Sequence, residues 1–217
     1  MHRNTVLILF FILIVKCGAT GQNLHVKLEG TTLTREEYAN LQKGFNFQLD
    51  FFYQVFDSAI TNNVSATVFS TEKQYTAVAK LHKTRHTLGF YDRQENRLYL
   101  FRHELFNNTF QHELSHELYD KYWPKYYGWL DEGIAEFFEY ASFDSAQYRF
   151  NIPAAVIAHV KKLLHENFQL KNFLSLNYSE WKKLEVSVRY NMAWAVAFFL
   201  IRSDMEVFTN VLLALRY

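Results

Sequence analysis

An α+β fold is predicted, with a small mixed sheet and its helices in the N-terminal half and a helical lobe after it. Three observations predict it. Every segment with strand character lies before residue 102. Beyond that point the apolar residues recur at helical spacing. The 217 residues, 49% hydrophobic and 18% aromatic, suffice for one ordinary domain with a large core. Within a single domain, 20–217, an α/β lobe is expected over 20–122 and a helical lobe over 123–217. Seven Gly and two Pro argue against a linker-rich array. The formal charge of +1 says nothing about nucleic acid, but no basic run appears and no nucleic-acid partner is expected.

Residues 1–19 read as a signal peptide. His2 and Arg3 precede the unbroken apolar run Val6 to Val15, and Cys17-Gly18-Ala19 supplies small residues for cleavage. A membrane span needs about 20 apolar residues, so no stable span is expected after cleavage, and the mature chain is expected to be secreted or periplasmic. Cleavage leaves 21 basic against 22 acidic residues and removes Cys17, the only cysteine. Disulfides and thiolate metal sites are then excluded, so any metal ligands must be His and carboxylate.

The elements follow in order. Leu24–Glu29 alternates apolar and polar residues as a half-buried strand does. Thr34 and Glu37 have capping-box spacing and open a long amphipathic helix through Phe56, with Gly44 as a break within it. The stretch 65–70 is β-rich, and Thr71 starts a short helix to about Lys80. His82 and His86 show no neighbouring carboxylate in the sequence and are read as exposed non-ligands. Thr87–Tyr91 and Arg97–Phe101 flank a turn cluster and form a hairpin. Asn107-Asn108-Thr109 is expected to cap a helix ending near Tyr122, before Pro124. Further helices are expected over Leu130–Ala141, Pro153–Asn167, Ser179–Leu184, Val188–Ile201 and Asp204–Leu215.

The chemistry concentrates on one of these helices. His112-Glu113-Leu114-Ser115-His116 reads His-Glu-x-x-His. Residues four apart on a helix lie on one face, about 5–6 Å apart at Cβ, so His112 and His116 can offer ring nitrogens to one ion. Glu113 is turned about 100° away, beside the ion, where it can serve as a base. Phe110, Leu114 and Leu118 fall on the opposite, core-facing side. Sixteen residues past His116, Glu132 opens the next helix and is the expected third ligand. Glu136, one turn on, is expected to accept the second ring N–H of a ligating His. Three N/O ligands with an open position suit one catalytic Zn2+ and metal-assisted hydrolysis with Glu113 moving the proton. His103-Glu104 repeats half the motif, with Asn107 where the second His would stand, and is read as surface.

At these residues the sequence resembles the gluzincin metallopeptidases. Trp129-Leu130-Asp131-Glu132-Gly133-Ile134-Ala135 is similar to the Trp-Leu-Asn-Glu-Gly-Phe-Ala stretch of the aminopeptidase N family. Gly89-Phe90-Tyr91 with its following strand, the motif helix and the Glu-Gly-x-Ala-Glu helix resemble the peptidase MA-like exported proteins. The resemblance covers about residues 65–200 and implies a zincin-like fold and a peptide or protein substrate. It also implies that Tyr190, in Tyr190-Asn191-Met192-Ala193-Trp194, stabilises the oxyanion. Gln94-Glu95-Asn96 lacks the Gly and Met of the family's amine-binding sequence and sits in a hairpin turn. Without an amine anchor, endopeptidase action on a monomeric chain is the expectation. Arg97–Phe101, through Tyr99 and Leu100, would be the edge strand that holds an extended peptide. The alternative is a catalytically degenerate, zinc-binding peptidase-like interaction module. Glu113 separates the two, because a degenerate copy is free to lose its base.

Overall fold

The computed structural model of the chain describes residues 24–29, 32–56, 63–84, 87–123, 126–143 and 148–216. The expected signal peptide and His86 lie outside them. The fold is α+β. In chain order the elements are β1 (Leu24–Glu29), α1 (Arg35–Phe56), β2 (Val64–Phe69), α2 (Glu72–Leu81), β3 (Gly89–Asp92), β4 (Arg97–Phe101), α3 (Phe106–Tyr122) and α4 (Gly128–Glu139). They continue with β5 (Ala141–Phe143), β6 (Tyr148–Phe150), α5 (Ala154–His165), α6 (Leu170–Leu174), α7 (Tyr178–Lys183), α8 (Val186–Ser203) and α9 (Met205–Arg216).

One mixed sheet has the order β1-β2-β4-β3, with β1, β2 and β4 parallel and β3 antiparallel to β4. Alternation splits its side chains between two layers. Val64, Ala66, Val68, Leu98 and Leu100 join the main core with α1 and α3. Phe69, Phe90 and Tyr99 turn to the other face and pack with Tyr75 and Ala79 of α2. The helical half packs on α4, and α8 is its principal partner. Among the described residues no helix is long and apolar enough to cross a membrane.

Local chemistry accounts for several element starts. Thr34 and Glu37 exchange the reciprocal bonds of a capping box, at 3.1 and 2.7 Å. Thr71 accepts from the Gln74 N–H to open α2, and Asn177 with Glu180 forms a second capping box at α7. Other expectations are corrected. Helix α1 runs unbroken through Gly44, because the glycine makes room for a side chain of α3: a Cβ there would lie 1.7 Å from Gln111 Nε2. Asn107-Asn108-Thr109 does not cap α3, which already begins at Phe106. Its opening turn is held instead by His103, whose Nδ1 accepts from the Leu105 N–H at 3.2 Å and whose Nε2 meets Thr109 Oγ1 at 3.1 Å. His103 is therefore half-buried rather than plain surface.

His82 is likewise half-buried: Asp92 comes across from the hairpin to within 2.6 Å of its Nδ1, and the ring lies against Phe90 and Tyr99. Strand β4 is not an edge. It is bonded to β2 on one side and β3 on the other, so its backbone has no ladder left for a peptide. Tyr99 faces α2, away from the motif helix, and Leu100 is 0% exposed beneath it. Neither is placed to touch a substrate. The hairpin β5–β6 and the short α6 went unexpected, because three to five residues give too little periodicity to read.

Candidate metal centre

Helices α3 and α4 build the site between them. Phe110, Leu114 and Leu118 are 0% exposed and pin the dry face of α3 to the core, which turns His112 and His116 toward α4. Helix α4 is held close to α8 by Gly133, where a Cβ would stand 2.5 Å from the backbone oxygen of Ala193. Only glycine fits such an approach, and it sits next to Glu132.

Three atoms converge. His112 Nε2 and His116 Nε2 are 3.2 Å apart, and Glu132 Oε2 is 3.6 Å from each. Bonds of about 2.0–2.1 Å to a tetrahedral zinc place ligand atoms about 3.3–3.4 Å from one another. Glu132 Oε2 is buried without a hydrogen-bond partner, an omission that costs on the order of 1–3 kcal/mol if nothing else binds it. Each His has its other nitrogen engaged: His112 Nδ1 lies 2.8 Å from Glu139 Oε2, and His116 Nδ1 lies 2.7 Å from Asp131 Oδ1. A carboxylate at Nδ1 keeps the proton there. Both Nε2 lone pairs then aim at one point that a carboxylate oxygen also faces, and a cation satisfies all three. The donor set fits zinc: two imidazoles and one carboxylate, with no thiolate.

Protons can fill the same role. Burial works to lower the His116 pKa, yet the Asp131 and Glu132 carboxylates raise it to about 9. Glu132 and Glu139 likewise hold His112 well above its ordinary value, against burial. Burial acts to raise the Glu132 carboxyl, but His112 and His116 bring it below its usual range.

Glu113 stands beside this cluster. Burial pushes its pKa up, against the pull of His112 and His116 and of the nearby Tyr91 backbone N–H. That N–H belongs to β3. The Phe101 N–H donates to the Leu88 oxygen, so alternation along the antiparallel pair turns the backbone groups of Gly89 and Tyr91 to the free edge of the sheet. The edge strand next to the site is thus β3, not β4.

The partner of His112 differs from the expected one. Glu136 Oε1 is 3.8 Å from His112 Nδ1, whereas Glu139 reaches it at 2.8 Å. With about 100° per residue, Glu139 lies about 20° from the azimuth of Glu132 and Glu136 about 40° on the other side. Glu136 is buried and its pKa is raised. Asp131, 4% exposed, supports His116. Asp131 and Glu139 are the functional residues that sequence reasoning missed. The available signal was the row of acids on α4, which gives no means of choosing among them.

Tyr190 is half-buried on the first turns of α8, and burial followed by the charge of Glu132 pushes its phenol up to about 12. A second tyrosine, Tyr126, stands in the α3–α4 connection. Burial and the charges of Glu132 and Asp131 hold its phenol well above the ordinary range. Its ring meets Tyr178 edge-on at 5.0 Å and takes the Arg93 guanidinium at 5.7 Å. Nothing in the sequence marks it, since it falls between helices. Compared with known protein families, curated proteins and solved structures, the chain matches none.

Proposed function

We propose that this chain is an exported, zinc-dependent peptidase of zincin-like architecture that cuts within peptide chains. The observation that carries the reading is the convergence of His112 Nε2, His116 Nε2 and the unpartnered Glu132 Oε2, with Glu113 alongside on the same helix. Such a set leaves a coordination position open, whereas a structural zinc takes four protein ligands. Among the described residues Glu139 and Asp131 are taken up at the two Nδ1 atoms, and Glu113 is left as the base. Export rests on the apolar run Val6–Val15 and the small residues after it.

His112, His116 and Glu132 would hold the ion. Bound there, zinc supplies Lewis acidity to a carbonyl and acidity to a water. The chain's own groups do the rest. Glu113 takes a proton from the water as its oxygen attacks the peptide carbonyl. As the C–N bond breaks, Glu113 returns that proton to the departing amine nitrogen. Tyr190 keeps its proton at neutral pH and can donate it in a hydrogen bond to the developing oxyanion. The free edge of β3 offers the backbone groups of Gly89 and the carbonyl of Tyr91 to an extended substrate.

The test measures bound zinc and cleavage of casein or an internally quenched peptide for wild type and Glu113→Gln. We expect both proteins to bind zinc and only the wild type to cleave. Zinc binding with equal background cleavage would make this a metal-binding interaction module, and absence of zinc binding would remove the reading altogether.

A further inference from the structure

Arg189 is the side chain of this site without a task. It sits on the first turns of α8, directly before Tyr190. Arg189, Ala193 and Ala197 form one stripe, four residues apart, on the face of α8 that Gly133 of α4 packs against. Arg189 therefore lies one turn from the contact that positions Glu132, and its charge reaches both Glu132 and Tyr190.

Arg189 as a residue is half-buried, yet its Nε is buried with no hydrogen-bond partner. Among the described residues no carboxylate lies within ion-pairing distance of it. Glu185, one turn earlier, is taken by Ser187 Oγ at 2.5 Å. The Arg189 Cζ lies 5.6 Å from the centre of the Tyr190 ring. Other arginines contrast: Arg93 pairs with Asp120 at 3.2 Å and Arg102 with Glu37 at 2.7 Å. A planar fork of donors without a carboxylate of its own is suited to one arriving from outside. Glu132 does not serve it: its Oε2 lies 3.6 Å from each His Nε2, and it makes no ion pair with Arg189.

Resting on the peptidase reading above, we propose that Arg189 anchors a carboxylate of the substrate beside the metal centre, so that the enzyme selects peptides presenting an anionic group there. That group is an acidic side chain or a C-terminal carboxylate, which share this chemistry.

The experiment uses the zinc-loaded, full-length Glu113→Gln protein and three dansyl-labelled hexapeptides of Ala and Phe. The first is C-terminally amidated, the second amidated with one internal Glu, and the third carries a free C-terminus. Binding is read by fluorescence anisotropy, with zinc content measured alongside. We expect the second or third peptide to bind about tenfold or more tighter than the first, the gain of a charge-assisted contact, and the one that does identifies the source of the carboxylate. Adding Arg189→Gln should collapse that ratio to about one, and Arg189→Lys, a charge without the planar fork, should keep only part of it. Equal binding of all three peptides, or a ratio that survives Arg189→Gln, overturns this proposal alone. Failure of the zinc-loaded protein to bind any peptide overturns the peptidase reading and this proposal with it.

Discussion

His116 Nδ1 lies 2.7 Å from Asp131 Oδ1, and the Asp131 side chain is 5% exposed. Asp131 immediately precedes Glu132, so one helical turn would supply both a ligand of the proposed zinc and the group that orients another. Replacing Asp131 with Asn should lower zinc affinity about 10–100-fold. Glu139→Gln should act likewise through His112, and Glu136→Gln should act less. A chelator competition series ranks the three, and a larger loss at Glu136 than at Asp131 or Glu139 would reverse the assignment.

Zinc must compete with protons for His112 and His116, whose folded-state pKa values are raised. Apparent zinc affinity should therefore climb with pH through neutrality and level off only above about 9, the His116 value. The slope should be about one logarithmic unit per pH unit for each proton displaced. Affinity that is flat between about pH 6 and 8 would mean that zinc displaces no proton from these rings.

Tyr190→Phe removes one hydroxyl and leaves the ligands intact. We expect kcat to fall about 10²–10³-fold, as for loss of one oxyanion donor, with zinc content unchanged. Full activity in this variant would return Tyr190 to a packing role and direct attention to Tyr126.

Gly133→Ala forces a methyl group to within 2.5 Å of the Ala193 oxygen, a backbone atom that cannot rotate away. The cost should be about 1–3 kcal/mol in urea unfolding. Zinc affinity should fall as well, because Glu132 is the neighbouring residue. A variant that unfolds at the same urea midpoint would show that α4 and α8 separate freely.

Glu37 offers a check on the fold remote from the metal. It bonds the Thr34 N–H at the start of α1 and takes Arg102 through both carboxylate oxygens. The Thr34 backbone bond and Arg102 hold its pKa below the usual 4.5. The ionised form is the one that stabilises, so its contribution is present above about pH 4.5 and is lost as pH falls through the lowered folded value. Glu37→Gln should cost about 1 kcal/mol at pH 7 and flatten the acid limb of the stability curve. Parallel acid limbs in the two proteins would refute this.

Periodicity and spacing are local properties, and they carried much of this protein. The four strands of the main sheet, the helices that bury α3 and α4, and the Thr34–Glu37 capping box all follow from chemistry within a few residues. So does the placement of His112 and His116 on one helical face, because four residues make about one turn wherever the helix packs. What required the tertiary structure was every choice among equals. Strand order is decided by packing across the sheet, and it made β3 the edge while enclosing Tyr99 and Leu100. Among Asp131, Glu136 and Glu139, the crossing of α3 with α4 chose the two that meet the histidines. Gly44 looked like a helix break because its reason lies in Gln111, far along the chain. Arg189 and Tyr126 belong to no local pattern, and only the packing of α8 and the α3–α4 connection around Glu132 brings them to the site.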